Sequence, residues 1–178
     1  EPFATTAADG TYTISGIKPG TWRVKEVAQS GWTQSYPANG YHEETFTSRA
    51  ALTGNDFGNW YPATKSGMKF EDLDADGVKD AGEPGLSGWT IYVDYDNDGV
   101  KDDGEPSATT AADGTYTITG INPGTWRVKE VAKDGWTQSY PSLGYHEETF
   151  QSGAALTGND FGNWTPASKS GMKFEDLD

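Results

Sequence analysis

The stretch TTAADGTYTITGINPGTWRVKEV, residues 109–131, alternates polar and apolar side chains around two turn signals. Asp113-Gly114 precedes TYTIT and suits a tight hairpin turn. Pro123-Gly124 separates TYTITGI from TWRVKEV and suits a type II turn, which places Trp126, Val128 and Glu130 on one strand face. Upstream, WTIYVD puts Trp89, Ile91 and Val93 on one face and Thr90 and Tyr92 on the other. GWTQSY, YHEETF and ALTGNDFGNW read as further short strands, and no segment carries a helical period. Seven or eight strands in roughly 100 residues predict an all-β fold, a β-sandwich of immunoglobulin-like or prealbumin-like form.

The opening stretch also has a copy. EPFATTAADGTYTISGIKPGTWRVKEV at 1–27 returns as EPSATTAADGTYTITGINPGTWRVKEV at 105–131, an offset of 104. GWTQSYP, LTGNDFGNW and KSGMKFEDLD recur at the same offset. A period of that size is one compact domain rather than one turn of a solenoid. The repeat predicts the later part of a preceding unit at 1–66, a complete unit at 67–170 and the first strand of a following unit at 171–178. The expected setting is a window on a longer array of neighbouring repeats. Head-to-tail neighbouring chains that complete each other's sheets by strand addition are the alternative.

Composition narrows the function. With 27 acids against 13 Lys and Arg, the net charge of −14 disfavours nucleic acid and anionic membrane as partners. No apolar run reaches spanning length, so membrane insertion is not expected. The absence of Cys excludes disulfides, thiolate metal sites and thiol catalysis. No nucleophile elbow, phosphate loop or separate catalytic acid pair is evident, so no enzyme is expected.

The acids are concentrated in DLDADGVKDAGE, residues 72–83, and DYDNDGVKDDGE, residues 94–105. Asp72, Asp74, Asp76, Asp80 and Glu83 fall at places 1, 3, 5, 9 and 12 of the first loop, with Gly77 at place 6 and the Val78 carbonyl at place 7. Asp94, Asp96, Asp98, Gly99, Val100, Asp102 and Glu105 repeat the pattern. This is the spacing of an EF-hand calcium loop, here flanked by strands instead of helices. Hard oxygen donors suit Ca²⁺ over zinc or copper, so two Ca²⁺ sites are expected in the complete repeat. Without paired helices the loop has no lever for signalling, and the ions are expected to fix the loops against the sandwich. Extracellular calcium modules have dissociation constants of about 10⁻⁴–10⁻³ M, which favours an extracellular location, on a cell surface or in a secreted filament or sheath.

The acidic loops, PGTWRVKE and the closing NDFGN together resemble the SdrD B-like domain family, the B-repeats of serine-aspartate repeat surface proteins, related to the collagen-adhesin B-type domains. The resemblance covers 67–170 and both flanking remnants. It implies a calcium-binding β-sandwich, tandemly repeated in bacterial or archaeal surface proteins as a stalk or spacer, with the loop acids as ligands. Some related B-type domains carry an internal Lys–Asn isopeptide bond, and the corresponding set here is Lys69, Glu130 and Asn163. Against that set, Met68 and Phe70 look core-facing, which would turn Lys69 outward.

The remaining reading is an adhesion module that uses exposed Trp and Tyr residues, Trp136 and Tyr140 among them, to hold a glycan or surface protein. Most of the Trp residues are expected in cores or domain junctions instead. His42 and His146, in identical GYHEETF contexts, are expected on a strand surface.

Overall fold

The structure, a computed structural model, describes residues 1–176 and divides into two compact units, Glu1–Tyr61 and Pro62 onward. Among the described residues every regular element is a strand.

Unit 2 contains β5 (Ala63–Glu71), β6 (Thr90–Asp94), β7 (Ser107–Thr109), β8 (Thr115–Ile121), β9 (Gly124–Glu130), β10 (Thr137–Tyr140), β11 (His146–Phe150), β12 (Ala155–Leu156) and β13 (Phe161–Trp164). They form two sheets. One runs β10-β13-β5-β12 with β8 on the other edge of β5, and the other runs β11-β9-β6-β7. The strands β12 and β13 pair parallel to β5, whereas β8 pairs antiparallel. The two sheets face each other across Ala63, Ile118, Ile121 and Phe161 on one side and Ile91, Val93, Val128 and Phe150 on the other. Apolar alternation drives this sandwich, because each strand must bury one face against another layer.

One local expectation is corrected. The Asp113-Gly114 turn is tight, with Gly114 N–H donating to Ala111 and Gly114 at φ 84°. It does not make a hairpin, however, since β7 pairs with β6 and β8 pairs with β5. The Pro123-Gly124 turn likewise carries the chain from one sheet to the other. In β6 both faces are covered, with Tyr92 buried as fully as Ile91 and Val93.

Unit 1 contains β1 (Gly20–Val24), β2 (Thr33–Tyr36), β3 (His42–Phe46) and β4 (Gly58–Trp60), paired as β1-β3 and β2-β4. These correspond to β9, β10, β11 and β13 of unit 2. None of residues 1–61 is buried. Residues 63–66, which the repeat comparison assigns to the end of the preceding unit, open β5 here. Residues 171–176 form no strand, and the rest of the strand expected at 171–178 lies outside the described residues.

Candidate functional site

The strands β5 and β6, consecutive in the chain and one in each sheet, both end at an acidic loop, so the fold delivers a buried carboxylate to the start of each. Asp72 follows β5 and Asp94 closes β6, both with 0% exposure. Asp72 accepts the Gly77 N–H at 2.8 Å, and Asp94 accepts the Gly99 N–H at 3.0 Å. Gly77 and Gly99 have φ of 81° and 84°, the left-handed backbone that the sharp turn requires. The last acid closes each loop. Glu83 takes the N–H groups of Leu73 at 2.7 Å and Asp80 at 2.9 Å, and Glu105 takes those of Tyr95 at 2.7 Å and Asp102 at 3.0 Å.

The carboxylate oxygens converge. Those of Asp72, Asp74 and Asp76 lie within 4.8 Å of one another, as do those of Asp94, Asp96 and Glu105 and those of Asp96, Asp98 and Asp102. Asp80 stands apart from the first group, its backbone held by Glu83. The Val78 and Val100 side chains are exposed, and their N–H groups donate to Asp76 and Asp98 at 2.7 Å. Partial desolvation, and then the charge of Asp76, push the Asp74 carboxyl above its ordinary range. Burial, and then the charges of Asp94 and Glu105, push the Tyr92 hydroxyl up to about 12.

These residues fit a hard divalent cation. The donor set is all oxygen, and Asp94 Oδ1 is buried without a hydrogen-bond donor. Lys129 Nζ lies 3.8 Å from Asp94 Oδ2, the other oxygen of the carboxylate. An uncompensated buried carboxylate oxygen is costly unless a cation comes to it.

A second polar cluster lies inside the sandwich. Lys69 is fully buried, as is Phe70, and this overturns the expectation that Lys69 points outward. The parity of Ala63, Lys65 and Lys69 is the inner one, and the facing sheet supplies an acid for each lysine. Phe70 is on the opposite face, covered near Lys79 of the first loop. Lys69 Nζ lies 2.9 Å from Glu130 Oε2, as an ion pair rather than an aligned hydrogen bond, and donates to Asn163 Oδ1 in a short contact. Asn163 Nδ2 donates to Glu130 Oε1 at 2.7 Å. All three side chains are therefore in mutual contact, beneath the Trp89 ring, whose centroid is 4.4 Å from Nζ. Burial draws the Lys69 amine down to about 8 against the pull of Glu130, and burial raises the Glu130 carboxyl. Both shifts favour a neutral amine beside a neutral acid.

Sequence reasoning missed a third set. Lys65, also buried, donates to Glu148 at 2.7 Å and to the Thr157 carbonyl at 2.8 Å, and Asn159 donates to the same Glu148 at 2.8 Å. The repetition of Glu and Asn at the same offset, as Glu44 and Asn55, was the available signal.

The SdrD B-like domain family matches residues 67–169, more than half of the chain. The chain belongs to the SdrD B-like domain family. Among its relatives, serine-aspartate repeat-containing protein D of Staphylococcus aureus strain Newman is 29% identical over 163 residues, 86% of this chain and 12% of that protein. Serine-aspartate repeat-containing protein F of Staphylococcus epidermidis is 24% identical over 164 residues, 86% of this chain and 9% of that protein. The SdrD B-like chain therefore spans about a tenth of the length of these relatives. Among solved structures, the minor pilin GBS52 of Streptococcus agalactiae aligns with TM-score 0.42 and 15% identity, over 96% of this chain and 71% of that one.

The aromatic and histidine positions complete the SdrD B-like unit. Trp136 packs edge-on against buried Trp89 at 5.6 Å, and Trp126 packs against Tyr95 at 4.8 Å. His146 is half-buried, not on an open strand surface. Its ring stacks edge-on to Phe161 at 5.1 Å, and Nε2 meets the Asp160 carbonyl at 2.8 Å. Among the described residues, no helix is long and apolar enough to cross a membrane.

Proposed function

We propose that this chain is a non-enzymatic structural repeat of a bacterial or archaeal extracellular surface protein, a stalk, spacer or filament segment stiffened by Ca²⁺ at two sites in unit 2. The observation that carries this reading is the delivery of two buried strand-end acids, Asp72 and Asp94, into converging carboxylate clusters, with Asp94 Oδ1 lacking any donor. Asp72, Asp74, Asp76, Asp80 and Glu83, with the Val78 carbonyl, would hold one ion. Asp94, Asp96, Asp98, Asp102 and Glu105, with the Val100 carbonyl, would hold the other. A bound ion neutralises carboxylates that otherwise repel, and so ties each loop to its strand end. At a hundredfold excess over the dissociation constant, each ion adds about 2.7 kcal/mol. Limited proteolysis tests this: chelation is expected to open cleavage within 72–105, and unchanged protection in chelator would contradict it.

A second reading rests on the contact of Lys69 with Asn163. We propose that these residues form an isopeptide bond. Lys69 Nζ, as the neutral amine, bonds to Asn163 Cγ while the protonated Glu130 gives its proton to Nδ2; the Cγ–Nδ2 bond breaks, and the Glu130 carboxylate then takes the surplus proton from Nζ. One ammonia departs. Intact mass is expected to fall by one ammonia in the native chain and to keep its full value in Glu130→Ala. Full mass in the native chain would remove the proposal and leave the buried ion pair.

An adhesion surface is the remaining alternative. Tyr140 is its most open element in unit 2, at 37% exposure, whereas Trp136 is committed to Trp89.

A further inference from the structure

The two acidic loops carry the same candidate ligand set, four Asp and one Glu, yet their surroundings differ in charge. At Asp72 both carboxylate oxygens take backbone donors, Oδ1 from the Asp76 N–H at 3.2 Å and Oδ2 from that of Gly77 at 2.8 Å. At Asp94 only Oδ2 takes one, from Gly99 at 3.0 Å, and the buried Oδ1 has none.

The strand beside each acid makes the difference. Asp72 follows β5 next to β13, where the Asn163 carbonyl takes the Asp72 N–H at 2.9 Å, so its neighbour there is a neutral amide. Asp94 closes β6 next to β9, in register with Arg127, and Lys129 stands two residues along. With Val128 and Glu130 turned inward, Arg127 and Lys129 lie on the outer face of the sheet. Arg127 is engaged by Glu147 and the Tyr145 ring. Lys129 Nζ instead lies 3.8 Å from Asp94 Oδ2, and a Cβ at position 99 would be 2.8 Å from it, so the amine sits against the turn of the second loop. Among the described residues no Lys or Arg forms an ion pair with an acid of the first loop.

The other nearby charges balance. Lys79 and Lys101 occupy place 8 of their loops and donate to the Asp80 and Asp102 carbonyls at 2.9 and 2.8 Å. Each loop also has one acid beyond its ligands, Glu71 just before the first and Asp103 within the second.

We propose that Lys129 sets the order in which the two loops take a divalent cation: its charge beside Asp94 weakens the second site, so the first fills at lower calcium. This rests on the calcium reading above. An ammonium held at the loop repels an incoming cation and offsets part of the carboxylate charge that attracts it. The amine is partly exposed, so its effect is that of a screened pair, doubled by the second charge of the ion, or about three- to tenfold in affinity. Between the two dissociation constants the first loop is tied down and the second is not, and unit 2 stiffens in two stages.

Calorimetric titration of the whole chain with calcium is expected to resolve two steps. Asp76→Asn and Asp98→Asn, both at exposed place-5 acids, assign them: the first is expected to weaken the tighter step and the second the weaker one. Lys129→Met is expected to tighten the weaker step about three- to tenfold and to leave the tighter one in place, whereas Lys129→Arg keeps the native gap. Limited proteolysis gives an independent readout. At calcium between the two steps, cleavage of the native chain is expected within 94–105 before 72–83, and Lys129→Met is expected to remove that preference. Sites of equal affinity, a tighter second loop, or a Lys129→Met effect that is absent or the same in both steps would overturn the proposal and leave the calcium reading standing. No uptake by the native chain would remove both.

Discussion

Units 1 and 2 share turns, strand registers and acid–amide pairs, yet unit 2 closes around a core and unit 1 buries nothing. The difference traces to the segment 63–109, which supplies β5, β6 and β7 to unit 2 and has no counterpart among residues 1–61. Ile14, Ile17, Val24, Phe46 and Phe57 are only half-buried, while Ile118, Ile121, Val128, Phe150 and Phe161, their counterparts in the repeat, are at 0–1% exposure. The aromatic residues show the same contrast. Trp22 and Trp32 are each 50% exposed, whereas Trp126 and Trp136 pack on Tyr95 and Trp89 of the segment 63–109. The exposed Trp residues of unit 1 are thus unroofed core positions, which weakens their case as a sugar-stacking platform.

The sharpest way to break the comparison is to remove one acid from each unit. Where Lys69 is not crosslinked, Glu130→Ala leaves its charge buried and unpaired, and a loss of about 3–5 kcal/mol in the chemical unfolding of unit 2 is expected. Glu26→Ala has no buried amine to strand and is expected to cost less than ~1 kcal/mol. Equal losses would mean that the two pairs do the same work.

Next comes the aromatic pair. Phe161→Ala is expected to cost about 3–5 kcal/mol in thermal unfolding, and Phe57→Ala clearly less, because the cavity penalty needs a closed core.

Lys69 adds a pH signature, provided the amine is still free. Its folded value of about 8 is below the ordinary 10.5, so between these the unfolded chain binds the extra proton. Stability from this group therefore rises as pH climbs from 8 to 10.5, by on the order of 3 kcal/mol. Denaturant midpoints across that window check it: Lys69→Met is expected to flatten the slope, and a crosslinked chain lacks it too.

The smallest effect falls on the peripheral pairs common to both units. Arg127–Glu147 at 3.8 Å and Arg23–Glu43 at 3.3 Å are solvent-exposed ion pairs, so Glu147→Ala and Glu43→Ala are expected to cost within ~1 kcal/mol, with no distinction between units.

Much of this was legible in the sequence. Alternation in TYTITGI and TWRVKEV located β8 and β9, with Val128 and Glu130 inward, because strand parity is a local property. Partner choice was not local: the Asp113-Gly114 turn looks like a hairpin in sequence, and only the packing sends its strands to different sheets. The loop acids could be aligned by spacing alone, but the orphaned Asp94 Oδ1 needed the fold. Lys69 was misread for a clear reason. Hydrophobic parity assumes that the inner face is apolar, whereas β5 turns Lys65 and Lys69 inward to acids supplied by β11 and β9. No one-strand pattern can register a partner 61 or 83 residues away.

The most direct test of the central claim is calcium titration by isothermal calorimetry, with unit 2 melting followed in parallel. The account predicts uptake of two ions per chain, a higher melting temperature for unit 2, and loss of one ion each on Asp72→Asn and Asp94→Asn. Absence of calcium uptake, with melting unchanged by chelator, would contradict it.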